Sequence, residues 1–344
     1  MQRICRTLHH NGYNVLLVGR NYPKSAEPNF GFNTKRLNCI FNKGFLFYAE
    51  YNLRLFLFLL TTQAHIYCAI DLDTLLPNTI VARLKSSLLF YDAHEYFTET
   101  PEVTNRPLVK FFWQQIANAC IPMCHKAYTV GPALAKIFSK QYNISFGVVR
   151  NVPMPVDRFE PTLALNHKKF ILYQGALNQS RGLEEAILAM HQINDAVLQI
   201  AGEGDLSRYL RNFVIKENLQ HKVKFLGYLK PADLVKVTQS AYIGLNLLKF
   251  EGESYYYSLA NKFFDYIMQG KPQLCADFPE YLEINKQYMV ALPTTCTIKK
   301  IVCNINLLLS NESLYNQIQQ NCLQAAKVFN WKIEEQVLLN FYNS

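Results

Sequence analysis

The chain of 344 residues has little glycine and little proline, 14 of each, scattered along its length. That excludes collagen-like and low-complexity classes, and no repeat occurs at solenoid periods. There is no Walker loop, no H-E-x-x-H zinc helix, no kinase signature set and no Ser-His-Asp elbow. A long unbroken apolar run is missing too. The most apolar stretch, GFLFYAEYNLRLFLFLL at 44–60, is interrupted by Glu50, Asn52 and Arg54 and falls short of the ~20 residues that span a bilayer. It reads as a buried helix, with contact to a membrane surface as the alternative. The opening MQRICRTLHHNGYN has basic residues but not the apolar core of a secretory leader. The nine cysteines are scattered, and the one close pair, Cys120 and Cys124, has no second pair or histidine spacing to make a zinc site. They read as buried free thiols in a reducing compartment.

What is present is half hydrophobic, enough for two domains with separate cores. Short β-branched apolar runs at 13–19, 64–70, 87–92, 127–131 and 146–151 read as strands. So do 169–175, 196–202, 223–227, 242–248 and 272–276. Helical patterns lie at 106–125, 133–141, 181–194, 204–218, 231–240 and 258–269, and an amphipathic helix ends the chain at 329–343. Continuous apolar strands alternating with helices predict parallel sheets covered on both faces, an α/β doubly wound class. The three prolines of RNVPMPVDRFEPT (150–162) mark the boundary. The expectation is two Rossmann-like domains, 1–150 and 151–344, facing a cleft that holds the ligand. The chain begins in a helix, so the strand and turn that normally open a doubly wound domain have no counterpart before Met1. Residues 1–150 hold 16 Lys and Arg against 8 Asp and Glu, and the rest holds 19 against 18. That excess suits an anionic lipid, phosphate or polyanion, or a solvated face with no partner. No basic block with interleaved aromatics and no zinc-finger, RRM or helix-turn-helix pattern points to nucleic acid.

Five stretches could carry chemistry. In ESYYYSLANKFFDYIMQGKP (253–272), a helix whose N-terminus offers free N–H groups would carry Lys262 in its first turn, unfavourable to the dipole unless an anion sits there. Ser258 is a candidate N-cap, and Asp265, one turn on, could accept from a ribose diol. A surface helix with a stray Lys–Asp pair is the plainer reading. In YQGALNQSRGLEEAI (173–187), Arg181 and Gly182 follow a strand and open a helix, where a guanidinium and N–H groups could grip a diphosphate. AGEGD (201–205) is a strand-to-helix turn, though not a G-x-G-x-x-G fingerprint. FYDAHEYF (90–97) ends a strand with Asp92, His94 and Glu95 at the edge where ligands bind. A histidine there can donate to a substrate hydroxyl, or Asp92 caps and His94 packs. Asp71 and Asp73 make a D-x-D, common by chance; Asp73 could cap the helix starting near Thr74.

Taken in order, YDAHEYF, AYTVGPALAKIFSKQYN, VVRNVP, YQGALNQSRGLEEAI, AGEGD, VKFLGYL and EGESYYYSLANKFFDYIMQGKP resemble a GT-B-fold glycosyltransferase of family 4, the retaining, nucleotide-sugar-dependent group. The resemblance covers about three quarters of the chain. It implies that His94, with Glu95, lies near the transferred sugar and that Arg181 and Lys262 hold the diphosphate. It implies a donor site made also of Gly175, Gly182, Gly202, Glu203, Gly204, Glu253, Ser254, Asn261 and Asp265, with Asp265 in the place of the ribose-binding glutamate. Glu251 and Glu253 fall near the family's first glutamate. No cofactor and no resident metal are implied beyond the nucleotide sugar. The acceptor would be a glycan or a lipid-linked molecule in surface polysaccharide or glycolipid assembly. The location would be cytoplasmic, with peripheral contact to an anionic membrane and no nucleic acid.

The chain departs from the family pattern where Tyr257 replaces a glutamate, Asp265 is one methylene short, and Ala176 stands where an arginine is common. The absent first strand suggests a start placed too late, or else a shortened copy. Alternatives are a sugar-nucleotide 2-epimerase-like GT-B enzyme and a truncated, non-catalytic nucleotide- or partner-binding paralogue. An NAD-linked dehydrogenase is more distant, because its fingerprint is missing.

Overall fold

Parallel strands buried on both faces are largely apolar, and most strands of the second half carry a continuous apolar run, such as FILY in 170–173 and AVL in 196–198. The computed structural model describes residues 1–22, 30–156 and 169–344. They fall into two units, 1–150 with 334–344, and 151–333. The proline-bearing segment expected as the boundary is described only as far as Val156; residues 157–162 lie outside the described residues.

The first unit runs α1 (Gln2–His10), β1 (Leu16–Arg20), β2 (Asn33–Leu37), α2 (Gly44–Thr61), β3 (Ile66–Ile70), α3 (Leu75–Leu84) and β4 (Leu88–Ala93). It continues with α4 (Pro101–Thr104), α5 (Pro107–Cys120), β5 (Lys126–Thr129), α6 (Pro132–Tyr142) and β6 (Phe146–Val148). All its pairings are parallel, but they form two sheets: β1 with β2, and β3-β4-β5-β6. Residues 44–60 are helical as expected, but the helix is not buried. Tyr51, Leu55 and Leu59 are covered, whereas Phe45, Leu53 and Leu57 are exposed.

The second unit runs β7 (Lys169–Gln174), α7 (Leu183–Ala189), β8 (Ala196–Ala201), α8 (Ser207–Lys216), β9 (Val223–Gly227), α9 (Pro231–Ser240) and β10 (Ile243–Asn246). Then come α10 (Glu253–Tyr256), α11 (Asn261–Met268), β11 (Gln273–Cys275), α12 (Pro279–Tyr288), β12 (Ala291–Pro293), α13 (Ile298–Ser310) and α14 (Glu312–Ala326). Its sheet is parallel in the order β12-β11-β10-β7-β8-β9. The order reverses between β7 and β10, so a crevice opens at their carboxyl ends, where doubly wound sheets bind ligands.

The last helix, α15 (Trp331–Asn343), crosses from one unit to the other. Grouping the whole end of the chain with 151–344 misplaces residues 334–344. Phe341 and Tyr342 pack on the ring of Phe90 at 5.8 and 5.1 Å. Lys126 Nζ donates to the Phe341 carbonyl at 2.7 Å, and the Arg150 N–H donates to the Glu334 carboxylate at 2.7 Å.

Candidate functional site

The crevice of the second unit is built by one side chain that locks a helix to the sheet. Tyr266 of α11 is fully buried, and its hydroxyl donates to the Leu172 carbonyl of β7 at 2.8 Å. Its ring lies over Gly244 of β10, where a Cβ would come within 2.6 Å of ring atoms. Only glycine admits that ring. With α11 so fixed, Asp265 accepts from Gln174 Nε2 at 2.8 Å, and Gln174 Oε1 accepts from Thr238 at 2.8 Å. The carboxylate is thereby held beside the end of β7.

Helix α11 begins at Asn261, with Ala260 in the capping position. Ser258 is not the cap: its hydroxyl donates to the Tyr255 carbonyl at 2.7 Å. Residues 253–256 form a separate single turn, α10. Asn261 and Glu253 are exposed and Ser254 is buried. Lys262 is buried, with its Nζ 3.9 Å from the centre of the Tyr173 ring. Burial first, and the Arg181 charge second, push its pKa well below the ordinary 10.5.

Arg181 belongs to a loop, not to the helix the sequence suggested. Gly182, in the left-handed region at φ 66°, occupies the capping position, and α7 starts at Leu183. The Arg181 guanidinium lies 4.7 Å over the Tyr255 ring, and its Nε is buried without a hydrogen-bond partner. Beside it, Ser180 Oγ donates to the Glu251 carboxylate. It is therefore Glu251, rather than exposed Glu253, that the fold brings to this loop. Among the described residues neither Arg181 nor Lys262 has a carboxylate partner. Two cations, the Arg181 charge acting on Lys262, each resting on a tyrosine face and without a carboxylate partner among the described residues, could hold a multiply charged anion.

The tyrosine triplet thus has separate duties. Tyr255 supports Arg181, while Tyr256 packs on Phe250 and Phe278 at 5.6 and 5.3 Å, and Tyr257 packs on Tyr256 at 5.0 Å.

A cavity of about 280 Å³ adjoins the cations, lined by Gly175, Ala176, Gly202, Glu203, Tyr228 and Leu229 among others. Gly202 has φ 142°, and a Cβ there would meet the Gly175 carbonyl oxygen at 1.9 Å. That contact closes the floor where β7 and β8 end. The Gly175 Cα faces Lys262 Nζ, 3.6 Å from where a Cβ would stand. A Cβ on Gly204 would come within 2.6 Å of the Leu177 nitrogen. The Glu203 carboxylate, expected beside a nucleoside, is engaged by Arg211 at 2.5 Å.

In the first unit His94 follows β4. Its Nε2 is 3.3 Å from Asp92 Oδ2, which also accepts from the Tyr128 hydroxyl at 3.0 Å. Its backbone N–H donates to Asp71 Oδ1 at 2.8 Å. Burial lowers the imidazole pKa, but the bond to Asp92 and the charges of Asp92 and Asp71 outweigh it, so the net shift is upward from 6.5. Burial raises the Asp71 carboxyl and puts that of Asp73 at about 6. Asp73 makes no side-chain cap. Glu95 is exposed. Asp71 was the residue the sequence did not single out for this role: it sits at φ 55°, a conformation that no motif announces.

Residues 157–324 match the family model described as Glycosyl transferases group 1. Over 77 residues the chain is 39% identical to an uncharacterized glycosyltransferase of Methanocaldococcus jannaschii. That stretch is 22% of this chain and spans 20% of the curated relative. Among solved structures, Anabaena HepE in complex with UDP and glucose is similar at a TM-score of 0.78 and 15% identity, covering 100% of this chain and 96% of that one. Sucrose-phosphate synthase from Thermosynechococcus elongatus is similar at 0.76 and 15%, covering 99% and 91%. The fold is that of GT-B glycosyltransferase structures. More particularly, residues 157–324 are similar to a Glycosyl transferases group 1 domain.

Proposed function

We propose that the protein moves a sugar from a nucleoside-diphosphate sugar to an acceptor hydroxyl with retention of configuration, in the assembly of a surface polysaccharide or glycolipid, on the cytoplasmic side of a membrane. The observation that carries the reading is the pair of half-buried Arg181, its Nε covered, and buried Lys262, with no carboxylate partner among the described residues. The diphosphate would lie against them. The nucleoside would enter the cavity by Gly175, Gly202, Tyr228 and Leu229, and Asp265 would accept from the ribose. HepE was solved with UDP and glucose, so UDP is the first nucleotide to try.

In the proposed reaction the bond from the anomeric carbon to the diphosphate oxygen breaks. A bond to the acceptor oxygen forms on the same face, and the acceptor proton passes to a diphosphate oxygen. Negative charge grows on the leaving group, and two fixed cations in a water-poor site stabilise it more than they stabilise the intact donor. No resident metal is needed in this scheme. His94, held by Asp92, would donate through its ring to a hydroxyl of the substrate.

The test is calorimetric titration of UDP, GDP and their sugars onto the wild type, Arg181→Ala and Asp265→Ala. Binding of one nucleotide, weakened about tenfold to a hundredfold by Arg181→Ala, is expected from loss of a charge-assisted contact. A folded wild type that binds none of them would refute the donor site. Epimerised sugar nucleotide released without an acceptor would instead favour the epimerase.

A further inference from the structure

Helix α2 is apolar on two opposite sides. One side, with Tyr51, Leu55 and Leu59, packs inward. The other presents Phe45, Leu53 and Leu57, which are 71%, 60% and 54% exposed. At 100° per residue these three fall on one stripe along the helix. Helix α5 presents a second stripe at i, i+3 and i+4: Leu108 is 86% exposed, Phe111 64% and Phe112 48%. The rings of Phe45 and Phe112 are 6.4 Å apart, so the stripes join. Exposed apolar ground of this extent marks an interaction surface.

Basic residues flank it. Lys43 precedes α2 and Arg106 precedes α5; both are exposed, and neither has a carboxylate partner among the described residues. The nearby acids are mostly committed. Glu50 binds Arg54 at 2.8 Å and the N–H groups of Ile40 and Phe41, and Glu99 binds Lys110 at 2.6 Å. Glu102 is exposed on α4.

We propose that the joined faces of α2 and α5 dock on an anionic lipid bilayer, with the apolar stripes entering the interface and Lys43 and Arg106 meeting the headgroups. No helix among the described residues is long and apolar enough to cross a membrane; this face would lie on one. A second copy of the chain is a poor occupant, because residues 1–150 carry 16 basic against 8 acidic side chains and like faces would repel. Residues 23–29, PKSAEPN, contain no large apolar side chain that could cover the stripes. Phe97, three residues after His94, contacts Trp113 at 5.1 Å, and Trp113 contacts Tyr48 of α2 at 5.4 Å. The face therefore adjoins the loop of His94. Its use for a lipid-linked acceptor rests on the function proposed above; the docking itself does not.

Co-sedimentation with vesicles tests it, using phosphatidylcholine alone and phosphatidylcholine with about a third phosphatidylglycerol. The wild type should bind the anionic vesicles, less so at high salt, and bind the neutral ones weakly. Leu108→Ser/Phe111→Ser and Lys43→Glu/Arg106→Glu should each weaken binding about tenfold or more. Ile215→Ser, at an exposed apolar residue of α8, should bind as the wild type does. Circular dichroism and UDP titration on the same samples separate misfolding, or failure of the donor site, from loss of docking. Three results would overturn the proposal: a folded wild type that stays in the supernatant, face variants that bind undiminished, or a dimer in light scattering that the face variants dissolve.

Discussion

The ammonium of Lys262 stands 3.9 Å from the centre of the Tyr173 ring, whose hydroxyl is tied to the Ala176 carbonyl at 2.7 Å. The ring gives Lys262 a partial partner without neutralising it. The charge is therefore held in place and still available to an anion.

For the proposed donor site, that arrangement predicts binding that depends on pH. Burial and Arg181 depress the Lys262 pKa below 10.5, and a bound diphosphate would raise it again. UDP binding should take up protons in the window between the depressed value and 10.5, and affinity should fall as pH rises through that window. The free protein should gain stability over the same rise, because there the unfolded chain binds the extra proton. Calorimetry in buffers of different ionisation heat reads the uptake, and Lys262→Met should abolish it. Affinity flat in pH, with no uptake, would place Lys262 outside the diphosphate site.

His94 shifts the other way. Its pKa is raised in the folded state because Asp92 and Asp71 outweigh burial. The stability it contributes is fully present below 6.5 and is lost as pH rises through the folded value. Asp92→Asn should move the imidazole titration about one unit toward acid, followed by proton NMR of the ring. A titration unmoved by the substitution would show that Asp92 does not set the charge of His94.

Gly202→Ala should be severe. The new Cβ would meet the Gly175 carbonyl at 1.9 Å and the backbone sits at φ 142°, so a loss of ~3 kcal/mol or more is expected, together with loss of UDP binding. Gly19→Ala is the control: nothing lies within 4 Å of its Cβ position. Thermal melts of both variants check the contrast; near-equal midpoints would contradict the packing at the floor.

The sheet of the second unit was legible because β7, β8 and β10 each carry an apolar run, and each lies within its expected range. Strand β2, NTKRL, was not, since an edge strand of polar residues leaves no pattern to read. Arg181, Lys262 and Asp265 could be named from motif position alone. Their supports could not: Tyr173, Tyr255 and Gln174 act through ring faces and an amide contact set by the meeting of β7, α10 and α11. The Asp71 link to His94 depends on one backbone angle. Helix α2 misled because a helix apolar all round reads as buried, and sequence does not say which side has a neighbour.

Among the described residues, strands β1 and β3 each pair on one side only, β1 with β2 and β3 with β4. Each leaves a row of amide and carbonyl groups without a ladder partner on its other edge, with Leu16 partly bare beside one of them. Such edges accept strands from other molecules. Among the described residues the first unit has four such edges, β1, β2, β3 and β6, against two, β9 and β12, in the second, so the first unit is the colloidal weak point. Amide exchange should be faster along β1 and β3 than along the central strands β7 and β8, and aggregation in concentrated stocks should begin in the first unit, while the six-stranded sheet that carries the proposed donor site stays intact inside the aggregate.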